Sequence, residues 1–132
     1  MLTIKLFGRG QTRVLAPSPY ALGVALLPKR GGNGLVAIVF VEEVNVQGRR
    51  SSVPLPVVLG HTMAHEVGHL LLGTAEHAAA GLMQARWSSG DLARAARGQL
   101  RFSEQESSRL RAAAFTLAHP LAAGDDPRLA AK

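Results

Sequence analysis

Seven consecutive apolar residues, Leu35-Val36-Ala37-Ile38-Val39-Phe40-Val41, set the first constraint on how this chain can fold. The run is rich in β-branched side chains and has no polar alternation, which fits a strand buried on both faces. A shorter apolar run, residues 22–27, precedes it and is stopped by Pro28. Between the two lies Lys29-Arg30-Gly31-Gly32-Asn33-Gly34, a strong turn signal. The two runs are therefore expected to pair as an antiparallel hairpin. Residues 2–6 alternate apolar and polar, as a strand with one buried face does. Residues 8–19 carry Gly and Pro breakers and read as loop.

Beyond the hairpin the pattern changes. Residues 45–56 are polar and end in Pro54 and Pro56, so they read as a connection. From 57 to 72 the apolar period is helical, and Gly73 is placed to end the helix in the left-handed region. Residues 74–87 show no period. Ser88 with Asp91 opens a further helix that Gly98 ends, and Ser103 with Glu106 forms a capping box for a last one. Leu110, Ala113, Ala114 and Leu117 give that helix an apolar stripe, and Pro120 closes it. Strands followed by helices place the chain in the α/β (α+β) class, with one domain over residues 1–120 and a flexible tail over 121–132.

Composition narrows the function. At 132 residues the chain is one domain's worth. It has no cysteine, which removes disulfides, thiol nucleophiles and thiolate metal sites, so any metal must be held by His, Asp or Glu. The net charge is +6, but the basic residues are scattered and the aromatic residues few, which argues against a nucleic-acid partner. No apolar stretch approaches the roughly 20 residues of a membrane span. The N-terminus lacks the order of a signal peptide, so the chain is expected to be cytoplasmic as written, or secreted if a leader is missing.

Four of the five histidines fall between positions 61 and 77, and the centre of that group is His65-Glu66-Val67-Gly68-His69. Residues four apart share a helix face, so His65 and His69 can present two imidazoles to one metal ion. Glu66 is placed to reach a water bound to that ion without being a ligand itself. Neutral imidazoles suit an open zinc site, the metal lowers the pKa of its water, and a carboxylate beside it can move the proton. His77 lies past Gly73, and Met83 follows behind Gly81.

His65-Glu66-x-x-His69, then Gly73, His77 and Met83, resembles the metzincin clan of zinc metalloproteases, most closely over residues 57–87. The resemblance implies Zn2+ held by His65, His69 and His77, Glu66 as general base, Gly73 at the bend and Met83 as the turn methionine beneath the metal. It also implies a small open mixed sheet packed on the active-site helix. Residues 22–27 would form an edge strand that binds an extended peptide, residues 35–41 its inner partner, and residues 2–7 would lie on the far side. The expected activity is hydrolysis of peptide bonds in a peptide or protein substrate. The alternative is a non-proteolytic or regulatory zinc-binding protein that keeps the motif helix. The clan's additional strands and long helix have no room here, so the domain is expected to be minimal or N-terminally truncated.

The spacing departs from the clan. Gly follows the second His by four residues rather than three, and the third His follows that Gly by four rather than three. Glu76 is the nearest substitute for His77 as third ligand, with Glu104 and Glu106 more remote. His61 is expected beside the site or against the sheet, His119 at a helix end, and Trp87 in the core. Gln84 and Arg86 are candidates for a substrate or oxyanion contact. No Tyr follows Met83, where some metzincins use one, and Tyr20 lies well upstream.

Overall fold

The computed structural model describes residues 1–11, 16–29 and 35–120. It is a mixed α+β architecture: a three-stranded open sheet followed by four helices. The strands are β1 (Leu2–Phe7), β2 (Gly23–Leu26) and β3 (Leu35–Phe40), in the order β1-β3-β2. β1 runs parallel to β3, with Leu2 beside Leu35 and Phe7 beside Phe40. β2 runs antiparallel to β3 from Gly23 opposite Val39 to Leu26 opposite Val36. The edge, inner and far strands are thus arranged as expected. Most of the Gly-rich turn, residues 30–34, and the tail at 121–132 lie outside the described residues.

Ala37 to Phe40 are all buried, which is what a continuous apolar run in the central strand requires. Val39 joins Val44, Val53, Val58 and Leu92 in the main core cluster, and a second cluster gathers Leu82, Ala95 and Leu100. Trp87 packs against both clusters, as its expected core position requires.

The strand ends one residue earlier than the apolar run. Val41 opens α1 (Val41–Ser51), so the connection expected at 45–56 is corrected: most of it is helix. Asn45 and Gly48 are poor helix formers, which hides the period. Other cues are present. Glu42 and Glu43 occupy the first turn and Arg49 and Arg50 the last, each opposite in sign to the helix dipole there. Gly48 is needed because a Cβ there would stand 2.9 Å from the Val53 carbonyl oxygen. Packing on one side of this residue therefore outweighs its low propensity.

α2 (Leu55–Leu72) begins two residues before the expected start, with Pro54 at the N-cap and Pro56 in the first turn, where no amide hydrogen is needed. It packs on β2 and β3 and against the other three helices. Val58, Thr62, His65, Glu66 and His69 are buried along it at helical spacing. Ser88 and Ser103 cap α3 (Ser89–Ala96) and α4 (Glu104–Ala118) through the expected boxes with Asp91 and Glu106. Gly98 follows α3 with φ +69°.

The apolar stripe expected on α4 is only partly covered, and no residue of that helix is buried. Leu110 and Ala113 are half-buried, but Ala114 is exposed and Leu117 is 40% exposed. Only the first half of α4 turns a stripe inward, through Glu106, Ser107, Leu110 and Ala113. Among the described residues no helix is long and apolar enough to cross a membrane.

Leu92 is fully buried in the main cluster. Leu92→Ala should lower unfolding free energy by about 2–5 kcal/mol, because the cavity collapses only in part. Leu117→Ala, at a largely open position, should change it by less than about 0.5 kcal/mol. Equilibrium urea unfolding of both variants beside wild type measures the contrast.

Candidate metal centre

α2 is the platform of the site. Gly73 ends it at φ +67°, and both Gly73 and Thr74 donate backbone N–H bonds to the His69 carbonyl. The helix therefore runs one residue further past His69 than the three-residue spacing would allow, and the turn absorbs the difference. The same turn brings the Thr74 carbonyl back to His69, whose Nδ1 donates to it at 2.8 Å. One turn earlier, His65 Nδ1 donates to the Leu82 carbonyl at 2.8 Å. Trp87 Nε1 donates to that same carbonyl at 3.2 Å.

These bonds decide the tautomers. A carbonyl can only accept, so each Nδ1 carries the proton and each Nε2 is left with a bare lone pair. Burial holds both rings neutral: it lowers the pKa of His65 to about 4 and also lowers that of His69. The Nε2 atoms of His65 and His69 nevertheless stand 3.1 Å apart, and His69 Nε2 stands 3.2 Å from His77 Nε2. Lone pairs facing one another at that distance repel, and neither of the first two can donate to the other. A cation among them removes the conflict. Tetrahedral metal–imidazole bonds of about 2.0–2.1 Å would separate the nitrogens by about 3.3–3.4 Å, close to what is found.

His77 completes the set from the loop. Its ring is nearly parallel to that of His65, with centroids 5.4 Å apart, and His69 meets both edge-on. The neighbouring Ala78 donates its N–H to the Met83 carbonyl at 2.9 Å, which fastens the third histidine to the turn beyond it. Ligand atoms of His65, His69 and His77 all lie within 4.8 Å of one another, so the three could hold a metal ion. His65 and His69 are buried and His77 is exposed. Glu76 does not join them, and Glu106 is occupied in the cap of α4. His61 turns to its own helix, Nδ1 to the Val57 carbonyl at 2.7 Å, and lines a separate depression behind α2. His119 bonds the Phe115 carbonyl at the end of α4.

Met83 is 2% exposed and lies directly against the motif helix. A Cβ on Gly68 would come within 2.7 Å of its sulfur and 3.0 Å of the Phe102 ring. Gly68 therefore lets the methionine turn close up beneath the helix between the two histidines.

Glu66 is buried, and burial raises its pKa to about 7. Together with His65 and His77 it lines a cavity of about 350 Å³. Its carboxylate occupies the space above Gly23, where a Cβ would meet Glu66 Oε1 at 3.0 Å and the Ile38 carbonyl oxygen at 2.8 Å. Gly23 was not singled out from the sequence. A glycine at the head of a short apolar strand is the available signal, since such a residue often marks a close approach. Thr62 reaches the cavity one helical turn before Glu66, and Tyr20 and Gln47 reach it with no local pattern to indicate it. Trp87 lines it too, besides packing in the core.

His65→Ala and His69→Ala should each abolish stoichiometric metal binding, and His77→Ala should weaken it strongly. Metal quantification after gel filtration, with circular dichroism to check folding, measures all three. Three folded variants that keep one ion per chain would remove the assignment.

Protein-family models, curated proteins and solved structures were all compared with this chain, and none matches it.

Proposed function

We propose that this chain is a zinc-dependent peptidase. The observation that carries the reading is a cluster of three imidazoles, two of which, His65 and His77, line one cavity together with a buried carboxylate, Glu66, beside an edge strand. Three neutral nitrogen donors suit zinc and leave a fourth coordination position open, which is the ligand set of a catalytic rather than a structural site. When bound there, zinc supplies Lewis acidity and a water of pKa near 7.

The chain's own groups do the rest. Glu66 takes a proton from the attacking water as its oxygen bonds to the scissile carbonyl carbon, and then gives it to the amide nitrogen as the C–N bond breaks. Its low-dielectric surroundings favour a carboxylate that can hold a proton between those two events. The Leu82 and Thr74 carbonyls keep His65 and His69 in the tautomer that offers Nε2 outward. Met83, packed under Gly68, fixes the floor of the site.

The substrate path follows from the sheet register. Leu22 and Phe40 are a bonded pair, Phe40 N–H to Leu22 carbonyl at 2.8 Å, so Val24 and Leu26 also face β3. Gly23 and Ala25 therefore direct their backbone groups away from β3, along the rim where Glu66 lies. An extended peptide can add there as a further strand.

Two outcomes test this reading. Glu66→Gln should keep its zinc and lose about 10²–10⁴-fold in peptide turnover. Zinc binding without cleavage of any member of a broad peptide library would instead leave a non-proteolytic zinc-binding protein. Ala25→Pro, which removes an outward N–H and leaves the bonds to β3 in place, should reduce kcat/KM while zinc content stays at one per chain. Unchanged kcat/KM in that variant would detach β2 from substrate binding.

A further inference from the structure

The cavity has a second polar feature besides the histidines and Glu66. Tyr20, from the loop before β2, and Arg86, from the segment after Met83, face one another across its mouth. The Arg86 guanidinium carbon lies 5.3 Å from the centroid of the Tyr20 ring. The guanidinium carbon sits over the face of the ring, a contact that takes up none of its N–H donors. Among the described residues, no carboxylate lies within ion-pair distance of Arg86, and it is the one Lys or Arg that lines the cavity. Gln84, the other candidate from this segment, donates its Nε2 to the Gly81 carbonyl and so serves the loop.

The charge balance points the same way. The three histidines contribute no negative charge to a metal ion, so a divalent cation there would keep its full charge, offset among the described residues of the cavity only by Glu66. With Arg86 at the mouth, the pocket favours an anion, and walls of low dielectric strengthen that preference. A guanidinium with free N–H donors is matched by a carboxylate, which can take two parallel N–H bonds.

We infer that Arg86, held by Tyr20, is an anion-reading subsite, and that the cavity takes peptides with a carboxylate next to the bond it addresses. The inference rests on the peptidase reading in that a peptide enters this cavity. The carboxylate has two sources, an Asp or Glu side chain or the peptide's own C-terminus, and the first would make the chain an endopeptidase with acidic preference.

Trp87, the only tryptophan, lines the same cavity and reports binding by its fluorescence without any turnover. The experiment uses the zinc-loaded Glu66→Gln protein and three short Trp-free peptides of otherwise equal sequence. One has an internal Glu and blocked ends, one an internal Gln and blocked ends, and one the Gln with a free C-terminal carboxylate. At least one carboxylate peptide should bind about tenfold more tightly than the blocked Gln peptide, on the scale of a charged hydrogen bond. Adding Arg86→Ala should bring all three within about twofold. Adding Arg86→Glu instead should make a blocked Lys peptide the preferred ligand over the Glu peptide. Which carboxylate peptide gains identifies the source. Equal binding of all three before Arg86 is changed, no binding of any of them, or a preference that survives Arg86→Ala would overturn the inference. A preference that depends on Arg86 in a protein whose Glu66-intact form cleaves nothing would overturn the peptidase reading alone.

Discussion

Three imidazole rings converging on one point, two of them with bare lone pairs, are a costly arrangement, and much of the molecule serves to hold it. Left to themselves, the His65 and His69 rings, with bare Nε2 atoms 3.1 Å apart, would turn away or take up protons. Two backbone carbonyls prevent the turning by holding the opposite nitrogen of His65 and His69. Burial prevents protonation by disfavouring the imidazolium. Such a preorganised donor set gains from a cation what it loses without one, which couples metal binding to the stability of the fold.

The two carbonyls both follow the motif helix in sequence but are delivered differently. Thr74 is delivered by the left-handed turn at Gly73, a local event within five residues of His69. Leu82 is delivered by a loop that is fastened at Ala78 to Met83, at Leu82 to Arg101, and by the packing of Met83 on Gly68. Leu82 also receives the Trp87 indole, so one carbonyl ties the histidine cluster, the core and the cavity wall together. Gly23 does the matching work on the sheet side, where its missing Cβ gives the Glu66 carboxylate room beside the edge strand. Clearances at two glycines thus set the positions of Glu66 and of the turn under the three histidines.

How much of this could be read from the sequence follows the range of each interaction. His65, Glu66 and His69 are legible because their relation is intrahelical and fixed by the 3.6-residue repeat. Gly73 and the caps at Ser88 and Ser103 are legible for the same reason: each acts within one turn. His77 depends on a loop conformation, so only a resemblance, with spacing that does not quite agree, pointed to it. Gly23 and Tyr20 reach the cavity through tertiary contacts that leave no periodic trace. The helix at Val41–Ser51 was obscured because Gly48 and Asn45 answer to packing rather than to propensity. The outer half of α4 shows the reverse case, an apolar pattern that the fold does not cover.

The central claim is that three imidazoles of one chain share one zinc ion, and X-ray absorption at the zinc edge of the protein loaded with one equivalent tests it most directly. The arrangement of His65, His69 and His77 predicts a four-coordinate shell at about 2.0–2.1 Å, with outer-shell scattering from three imidazole rings and one further light-atom ligand. A shell of oxygens with fewer than two imidazoles, or six-coordinate zinc at longer distances, would contradict it.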